Sequence, residues 1–387
     1  MGLGRSVVQL LFVLVLIVFE ERVSLPSCHD VPSNLDGGDG PGGYGDVKVM
    51  MVANLLLMGS DSGYFDVYFR DSYMAKFFRK SFQMLKPDML VVLGDVSAKG
   101  NQLSRSKWLS VLHQLQHLLG PFLGLPLHII LGDRDIGHCN ELDLKLVEQI
   151  SSSLPGLDSV GCGVFDVNNI SFISLNAIAM LCKNDLRSHV EKVIERMNQE
   201  RQRLAIKGSD RSFGPDQNGK NFQWRENPTS GARPVLLLHF PLHKTTDSNK
   251  WTHKRFHEAL DDVIIKDPDR ASVDDGSHEP QTIPLNVTEY ILQALKPRVV
   301  FSAHTHVFGD HIHKDGTREV SVPTMAWDVT EEPGFVMASF GENEGVAISH
   351  CSLARQSYVL MAYVSLLVLL ISTTLIMSRP LPHNSLN

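Results

Sequence analysis

Residues 47–54 read VKVMMVAN, residues 89–95 read MLVVLGD, and residues 127–133 read LHIILGD. Each segment is a short apolar run that ends in a polar side chain. An apolar run of about four to eight residues is typical of a strand that is buried on both faces. The three segments therefore predict three buried strands, and their carboxyl ends carry Asn54, Asp95 and Asp133.

Helical periodicity separates these predicted strands. Ala75, Phe78, Phe82 and Leu85 recur at the spacing of one helix face within residues 72–85, and a second helix is predicted over about 104–119. Strands that alternate with helices indicate βαβ units, so the fold class is α/β with a largely parallel sheet. Further strands are predicted near Val164 and over residues 170–175, 235–239 and 299–303, and residues 320–350 are predicted to be rich in strands.

The strand ends also carry the residues with chemical potential. The candidate metal ligands, in chain order, are Asn54, Asp95, Asp133, His239, His304 and His306. In open α/β sheets, ligands bind beyond the carboxyl ends of the strands. A single polar residue at such a place is adequately explained by capping of the strand. Six in chain order are harder to obtain from packing, so the set favours a metal site.

These residue types suit the hydrolysis of a phosphate ester. The reaction at neutral pH needs a strong nucleophile and a way to neutralise developing negative charge, and two divalent cations about 3.5–4 Å apart supply both. Imidazole and carboxylate ligands together suit Mn, Fe or Zn better than Ca or Mg. The sequence therefore predicts one or two divalent metal ions of the Mn, Fe or Zn kind per chain.

Four segments in order, VLGDVSAKG, LGDRDIG, LLHFPLHK and SAHTH, resemble the blocks of the calcineurin-like metallophosphoesterases. The resemblance covers about residues 46–350. It is greatest for the branch of membrane-anchored phosphoesterases of the early secretory pathway, which remove ethanolamine phosphate from GPI-anchor glycans. The resemblance implies a β-sandwich flanked by helices, with apolar segments at both ends of the chain.

The resemblance also implies a role for each matched residue. Asp95 would be the carboxylate that bridges two metals, and it is a candidate catalytic residue for that reason. Asp133, at the Asn position of the block usually written GNHD, would bind the second metal together with His239 and His304. His306 would bind the first metal, with Asn54 as a weaker ligand.

The sequence departs from the family pattern on the side of the first metal. The family opens with Asp-x-His, but this chain has Asn54 and Leu56, and a leucine cannot bind a metal. Arg134 replaces the histidine that serves the leaving oxygen. An arginine can stabilise a phosphoryl oxygen but cannot donate its proton at neutral pH. Arg134 is therefore a candidate catalytic residue that would contact phosphate, and the alternative is a surface ion pair.

Two hypotheses for function remain open after these substitutions. One is a metal-dependent phosphoric ester hydrolase. The other is a catalytically weak or inactive relative that binds a phosphorylated ligand or a partner protein. The complete second-metal set favours the enzyme. Four other histidines near the site are interpreted as ordinary loop or surface residues: His138, His243, His311 and His313.

Both ends of the chain are apolar. Residues 7–19 form a short apolar run after Arg5, which predicts a signal peptide or an uncleaved signal-anchor within residues 1–25. Residues 358–377 carry no charge over 20 positions. At 1.5 Å per residue they would cover about 30 Å, which predicts a transmembrane helix in preference to a buried core helix. A short tail, 378–387, follows.

These ends predict a protein of the endoplasmic reticulum or Golgi membrane with its catalytic domain in the lumen. The glycosylation sequons at Asn169 and Asn286 are consistent with that location. The expected substrate is a lipid-linked glycan or another phosphoester. Residues 26–45 are predicted to be a Gly/Pro-rich linker, and residues 46–351 the metallophosphoesterase domain, with surface loops at about 207–233 and 244–284.

The bulk composition restricts the remaining classes of function. The chain has 387 residues, of which 43% are hydrophobic, and a net charge of −7. That charge argues against a nucleic-acid partner, which would need a basic surface. Five cysteines allow two disulfides and leave one over, and their spacing matches no zinc motif.

Overall fold

The computed structural model describes most of the chain. The described residues are 2–32, 46–168, 170–182, 185–207, 222–225, 232–244, 281–327, 329–330, 332–341 and 345–378.

Within the described residues, thirteen strands form two mixed sheets. The first sheet has the order β1-β13-β12-β2-β3-β4, and the second has the order β10-β11-β9-β8-β6-β5-β7. The strands are β1 Ser27–Val31, β2 Val47–Val52, β3 Met89–Leu93, β4 Leu127–Ile130, β5 Gly163–Val167, β6 Ile170–Ser174, β7 Phe222–Arg225, β8 Val235–Leu237, β9 Val299–Ser302, β10 Gly309–Ile312, β11 Arg318–Ser321, β12 Gly334–Phe340 and β13 Val346–Ser352.

The helices cover the outer faces of the two sheets. They are α1 Gly2–Val23, α2 Ser72–Leu85, α3 Arg105–Leu119, α4 Asp133–Ile136, α5 Leu144–Ser151, α6 Ala177–Leu181, α7 Asp185–Lys207, α8 Leu285–Leu295 and α9 Gln356–Ser378. The helices predicted over residues 72–85 and about 104–119 are confirmed as α2 and α3.

Apolar side chains fill the space between the sheets. Met51 and Val91 from the first sheet share one buried cluster with Phe172, Leu237 and Phe301 from the second. The opposite faces of the strands pack against the helices in a separate cluster. Because a central strand such as β2 is buried on both faces, its sequence is a continuous apolar run. The predicted β-sandwich flanked by helices agrees with this arrangement.

The three strands predicted within residues 47–54, 89–95 and 127–133 pair as predicted. β2, β3 and β4 are parallel neighbours, so their carboxyl ends lie at one edge of the first sheet. In the second sheet, β6, β8 and β9 are parallel. β11 is also parallel to β9. Antiparallel strands complete both sheets, so each sheet is mixed and the expectation of a largely parallel sheet holds for β2 to β4 and for β6, β8, β9 and β11.

One loop prediction needs correction. Within the predicted loop 207–233, Phe222–Arg225 pair with β5 as an antiparallel edge strand, and their aromatic rings pack on Phe165. This strand adds its aromatic side chains to the sheet, which a local reading of a polar segment cannot detect. Residues 245–280 of the second predicted loop lie outside the described residues.

The predicted linker 26–45 also contains a strand. Ser27–Val31 pair along β13, and the Cys28–Cys351 disulfide joins the two strands. The cause is tertiary, because this edge strand is stabilised by a partner more than 300 residues away. Residues 33–45 of the predicted linker lie outside the described residues.

The two terminal helices pack against each other and against the domain. Phe19 of α1 contacts Tyr358 and Tyr363 of α9. Glu20 accepts a hydrogen bond of 2.6 Å from the Tyr73 hydroxyl, and it forms an ion pair with Lys76. Within the part of the chain that was fully described, one segment, Gln356–Ile376, has the length and apolar composition of a membrane span, and little of it is buried.

Candidate metal centre

The strand ends of the two sheets meet at one place. Asn54 follows β2, Asp95 follows β3 and Asp133 follows β4, all at the carboxyl edge of the first sheet. His239 follows β8 and His304 follows β9 in the second sheet. Side chains from both sheets are within contact distance here, so the six predicted ligands include residues from both halves of the sandwich.

Asp95 lies at the centre of this cluster. Its Oδ2 accepts a hydrogen bond of 3.0 Å from the amide nitrogen of Asn54, and its Oδ1 accepts one of 3.0 Å from the backbone N–H of Arg134. The same Oδ1 lies 3.5 Å from Nε2 of His239. A single buried carboxylate therefore contacts residues from three strand ends.

Two glycines allow this close approach. Gly94 has a φ of +85°, and a Cβ there would collide with the ring of His239. A Cβ on Gly132 would collide with the carboxylate of Asp95. The Gly-Asp pairs after β3 and β4 therefore have a packing reason that is independent of any family resemblance.

Asp133 gathers three histidines. Its Oδ1 lies 2.8 Å from Nε2 of His239 and 3.2 Å from Nδ1 of His304. Its Oδ2 lies 3.0 Å from Nε2 of His138. The donor atoms of Asp133, His239 and His304 all lie within 4.8 Å of one another, which is close enough for one metal ion.

The backbone is unusual at the same strand ends. Five residues other than glycine have a φ between 53° and 62°, in the left-handed region: Asn54, Leu56, Asp95, His304 and His306. Such conformations cost free energy, of order 1–3 kcal/mol each, and they persist where the surrounding structure holds them, which is common at functional sites. Leucine is a poor residue for this region, because its side chain gains no local hydrogen bond there.

Burial and the crowded charges shift the acid–base properties of the cluster. Burial raises the pKa of Asp95 to about 7. Burial would also raise the pKa of Asp133, but hydrogen bonds from His138, His239 and His304 hold it well below its usual range. Burial disfavours the charged form of His239, yet Asp95 and Asp133 outweigh that effect and raise its pKa to about 9. The buried carboxylates of the cluster therefore favour a positive charge beside them.

The donor set fits divalent metal ions. Nδ1 of His239 lies 2.7 Å from the carbonyl oxygen of Leu93, which holds a proton on Nδ1. Nε2 points at Asp95 and Asp133, and after loss of its proton it would offer its lone pair to a cation held between them. Metal-binding histidines in proteins commonly show this arrangement. Oδ1 of Asn54 and Nδ1 of His306 are buried polar atoms without a hydrogen-bond partner in the described residues, and a cation would satisfy such atoms.

Direct contacts link five of the six predicted ligands. Asp95 and Asp133 both contact His239, Asp133 also contacts His304, and Asn54 is bonded to Asp95. His306 lies beside His304, with 6.2 Å between the ring centroids. Burial and the neighbouring His304 and Arg134 charges lower the pKa of His306 to about 3, so its ring is neutral, as a metal ligand requires. Their roles as ligands stay predictions.

Arg134 lies at the mouth of the cluster. Its Nε is 3.8 Å from Oδ2 of Asp95, and its side chain is 42% exposed. The guanidinium therefore has one side toward the buried carboxylate and another toward solvent. A phosphate that approached the cluster from solvent could reach it.

Two members of the site were missed by the sequence analysis. His138, interpreted there as an ordinary loop histidine, contacts Asp133. Asp135 is buried and accepts hydrogen bonds from the N–H groups of Ser97 and Gly132, so it ties together the loops that carry Asp95 and Asp133. The segment LGDRDIG contains Asp133 and Asp135. Asp135 lies in the helical turn that follows β4, and this position was the sequence signal that could have identified it.

Three other histidines lie apart from the cluster. His313 is bonded to Glu319 at 2.8 Å, and the ring of His311 contacts that of His313. The backbone of His243 is bonded to Thr288. Leu56 is 3% exposed and belongs to the apolar cluster on the helix side of the first sheet. The expectation that it contributes no ligand agrees with this placement.

Comparison with known proteins gives a consistent picture. The family model described as "Calcineurin-like phosphoesterase" matches residues 60–308. "Metallophosphoesterase 1" of Rattus norvegicus is 24% identical over 347 residues, which are 88% of this chain and 80% of that protein. "Metallophosphoesterase 1" of Danio rerio is 23% identical over 335 residues, which are 86% of this chain and 82% of that protein.

Solved structures with some similarity include a dimetal phosphatase from Danio rerio, with a TM-score of 0.41, 14% identity and coverage of 76% of this chain and 93% of that one. A purple acid phosphatase from yellow lupin has a TM-score of 0.42 and 13% identity, with coverage of 78% of this chain and 50% of that one.

Proposed function

The chain belongs to the calcineurin-like phosphoesterases, and on that premise we propose that it hydrolyses a phosphate ester at the strand-end cluster. The single observation that carries the proposal is the position of Asp95. Its two oxygens contact the Asn54 side and the His239 side of the cluster, as a carboxylate shared by two cations must do. Asp133, the other carboxylate of the cluster, contacts His239.

The cations proposed are Mn, Fe or Zn, because the cluster combines imidazole with carboxylate. Asp95, Asp133, His239 and His304 would hold the second cation, and Asp95, Asn54 and His306 would hold the first. Such a cation pair supplies a nucleophile at neutral pH and neutralises charge that develops on the phosphoryl oxygens.

The protein itself contributes position and charge. Arg134 presents its guanidinium at the mouth of the cluster, where it would bind a phosphoryl oxygen and hold the ester against the buried carboxylates. The ring of Phe240 stacks on His304 with 3.9 Å between centroids, so it fixes that imidazole and excludes water from one of its faces. His138 holds Asp133 from the opposite side.

We further propose that the substrate is a lipid-linked glycan, with removal of ethanolamine phosphate from GPI-anchor glycans as the reaction. The resemblance of the metal-binding blocks to that branch supports this assignment, and so does the apolar helix Gln356–Ile376. The proposed location is the endoplasmic reticulum or Golgi membrane, with the domain in the lumen. The net charge of −7 gives no basis for a nucleic-acid partner.

Two disulfides support a lumenal domain. Cys28 is joined to Cys351 and Cys139 to Cys182, while Cys162 is buried and free. Disulfides form and persist in oxidising compartments and are rare in the cytosol. Asn286 is exposed at the start of α8, where a glycan could be attached, whereas Asn169 lies outside the described residues.

A second function has its own observation. Leu56 is packed in the core where the family pattern has a metal-binding histidine, so the first cation has a reduced ligand set. An inactive relative would keep the second cation for stability and would bind a phosphorylated ligand or a partner protein through Arg134.

Metal content and turnover discriminate between these functions. The full chain, purified in detergent, would be analysed for bound metal and assayed with an aryl phosphate and an aryl phosphodiester in Mn, Fe or Zn. We expect two equivalents and turnover that Asp95→Asn abolishes. The control is Asp143→Asn, which removes an exposed carboxylate that caps α5. One equivalent or none, without turnover, would overturn the enzyme proposal and leave the binding protein.

A further inference from the structure

Both terminal helices leave the domain at the edge of the first sheet that carries the metal cluster. β2 runs toward Asn54, and Met51 near its end pairs with Val336 close to the start of β12. Gly334, at the start of β12, pairs with Ser352, and Ser352 pairs with Ser27 at the start of β1. α1 ends just before β1 begins, and α9 begins just after β13 ends. The cluster and the two helices therefore share one end of the sandwich.

A short segment connects this edge physically to α9. The N–H groups of Met325 and Ala326 donate to the carbonyl oxygens of Ala53 and Asn54 at 3.0 and 3.3 Å. The next residue, Trp327, donates its indole N–H to the carbonyl oxygen of Ala354 at 2.9 Å, two residues before α9 begins. A rigid chain of contacts thus joins the strand end at Asn54 to the root of the helix.

Beside that root lies an exposed group of apolar side chains, which we call the aromatic ledge and define as Tyr64, Phe65, Val67 and Tyr68. Tyr64 is 86% exposed and Tyr68 is 75% exposed. The two tyrosine rings stack on each other, with 6.2 Å between their centroids. Neighbouring exposed apolar residues of this kind mark an interaction surface more often than isolated ones do.

The aromatic ledge is continuous with the terminal helices. Phe69, the residue that follows it, packs on Tyr73, on Trp327 and on Tyr363 of α9. The hydroxyl of Tyr363 lies 2.9 Å from that of Tyr73, which is also bonded to Glu20 of α1. The ledge is therefore at the level of the second turn of α9, where that helix separates from the domain.

In a bilayer that α9 spans, the aromatic ledge would lie at the depth of the second turn of α9. Tyrosine is enriched at the membrane–water interface because its ring is apolar and its hydroxyl remains hydrated. Tyr358 and Tyr363 mark that depth on α9, and the ledge is joined to Tyr363 through Phe65 and Phe69. In water, the exposed apolar surfaces of Phe65 and Val67 would have no favourable contact, whereas lipid would provide one.

We propose that the aromatic ledge is embedded in the interface of the bilayer around α9, so that the mouth of the metal cluster faces the membrane surface. This inference rests on the membrane anchor of the proposed function. It deepens that function, because a phosphate ester carried on a membrane lipid would reach Arg134 without leaving the membrane surface. A soluble ester would have to approach along the bilayer.

Spin-label accessibility tests the depth of the ledge. Tyr68→Cys is labelled with a nitroxide in the full chain, reconstituted in dioleoyl phosphatidylcholine vesicles. Four native cysteines are in disulfides and Cys162 is buried, so the label is selective. The matched control is Leu123→Cys, an apolar position that is 56% exposed and lies before β4, at the opposite edge of the sheet.

We expect the label at position 68 to collide several-fold more with dissolved oxygen, relative to a water-soluble nickel chelate, than the label at position 123. Equal ratios at the two positions would overturn the inference. Both substitutions are at exposed side chains, so folding is preserved. The measurement needs no turnover, and it therefore stands or falls separately from the phosphate-ester assay.

Discussion

The side-chain amide of Asn54 donates a hydrogen bond of 3.0 Å to Oδ2 of Asp95, while its carbonyl oxygen is buried without a partner in the described residues. The Asn54 side chain therefore has two roles, and a carboxylate at this position could not have the first, because it has no N–H donor. The amide stabilises the charge of Asp95, and it offers one neutral oxygen to the first cation. A neutral oxygen is a weaker ligand than a carboxylate, which locates the deficit of the cluster at Asn54 and Leu56.

Restoring the family residues should strengthen the first site. In the double variant Asn54→Asp/Leu56→His, a carboxylate and an imidazole replace a neutral amide and an alkyl group. Histidine also tolerates the left-handed backbone of position 56 better than leucine does. We expect a higher metal content and a several-fold increase in kcat/KM for an aryl phosphate.

The comparison for that variant is Leu57→His, which places a new imidazole at the next buried position. It should lower stability without a gain in metal. If the double variant binds no more metal than the parent chain, the first cation does not use these positions.

Removal of the guanidinium should slow turnover while metal content stays constant. Arg134→Ala loses the proposed contact to a phosphoryl oxygen, and a lost donor at such a position costs about 10²-fold in kcat. Because Arg134 is 42% exposed and solvent screens its charge, we expect a smaller loss in kcat, about tenfold. Arg134→Lys should recover part of it.

Arg105→Ala is the matched control for Arg134, since it removes an exposed arginine at the start of α3. Steady-state kinetics and metal analysis on the same preparations are the measurements. A loss of metal from Arg134→Ala in proportion to the loss of activity would contradict a role in phosphate binding.

His128 should make the protein labile to acid. Its buried ring contacts Phe165 and Trp224, and burial lowers its pKa from 6.5 to about 3. Because this folded-state pKa lies below the ordinary value, the stability due to the neutral ring is complete above about pH 6.5 and is lost as the pH falls toward 3. The loss at about pH 5 should be about 2 kcal/mol.

His128→Phe keeps the aromatic packing and removes the titrating group. We expect its free energy of unfolding to fall less than that of the parent chain between about pH 7 and pH 5. His117→Phe changes an exposed ring on α3 in the same way and should leave the acid dependence as it was. Equal acid dependence of all three proteins would disprove the assignment to His128.

The contact between the terminal helices and the domain should contribute to stability. Tyr73→Phe removes the hydroxyl that is bonded to Glu20 and Tyr363, while the Glu20–Lys76 ion pair remains. A buried hydrogen bond to a charged group is worth about 1.5–3 kcal/mol, and Tyr73 is only partly buried in its polar end, so we expect about 1 kcal/mol.

The measurement is the midpoint of thermal unfolding of the full chain in detergent. Tyr64→Phe removes an exposed hydroxyl from the aromatic ledge and should leave the midpoint unchanged. An unchanged midpoint for Tyr73→Phe would show that α1 is not stabilised through this bond.

The sequence predicted the central part of the fold well because local pattern and tertiary environment agree there. A strand that is buried on both faces must be apolar throughout, so β2, β3 and β4 were visible as runs. The edge strands β1 and β7 were not predicted. β1 is mostly polar and β7 is only four residues long, and both are stabilised by pairing with β13 and β5, which are distant in the chain.

The candidate site was predicted in a similar manner. Asn54, Asp95, Asp133, His239, His304 and His306 each follow an apolar run, and parallel strands bring such ends to one edge. His138 lies in a loop and Asp135 lies in the helical turn after β4, so neither stands at the strand-end position that marked the other six residues. Only the coordinates place His138 at Asp133, and Asp135 beneath the loops that carry the site.

The sequence by itself therefore determined the central strands β2, β3 and β4, which residues stand at their ends, and that the first-metal set lacks an imidazole at Leu56. Each of these properties depends on residue type and spacing along one segment. The tertiary structure decided which end of the sandwich bears the terminal helices, and that the aromatic ledge lies beside α9. Those relations depend on strand pairings across hundreds of residues, because β1 and β13 meet only in the folded chain.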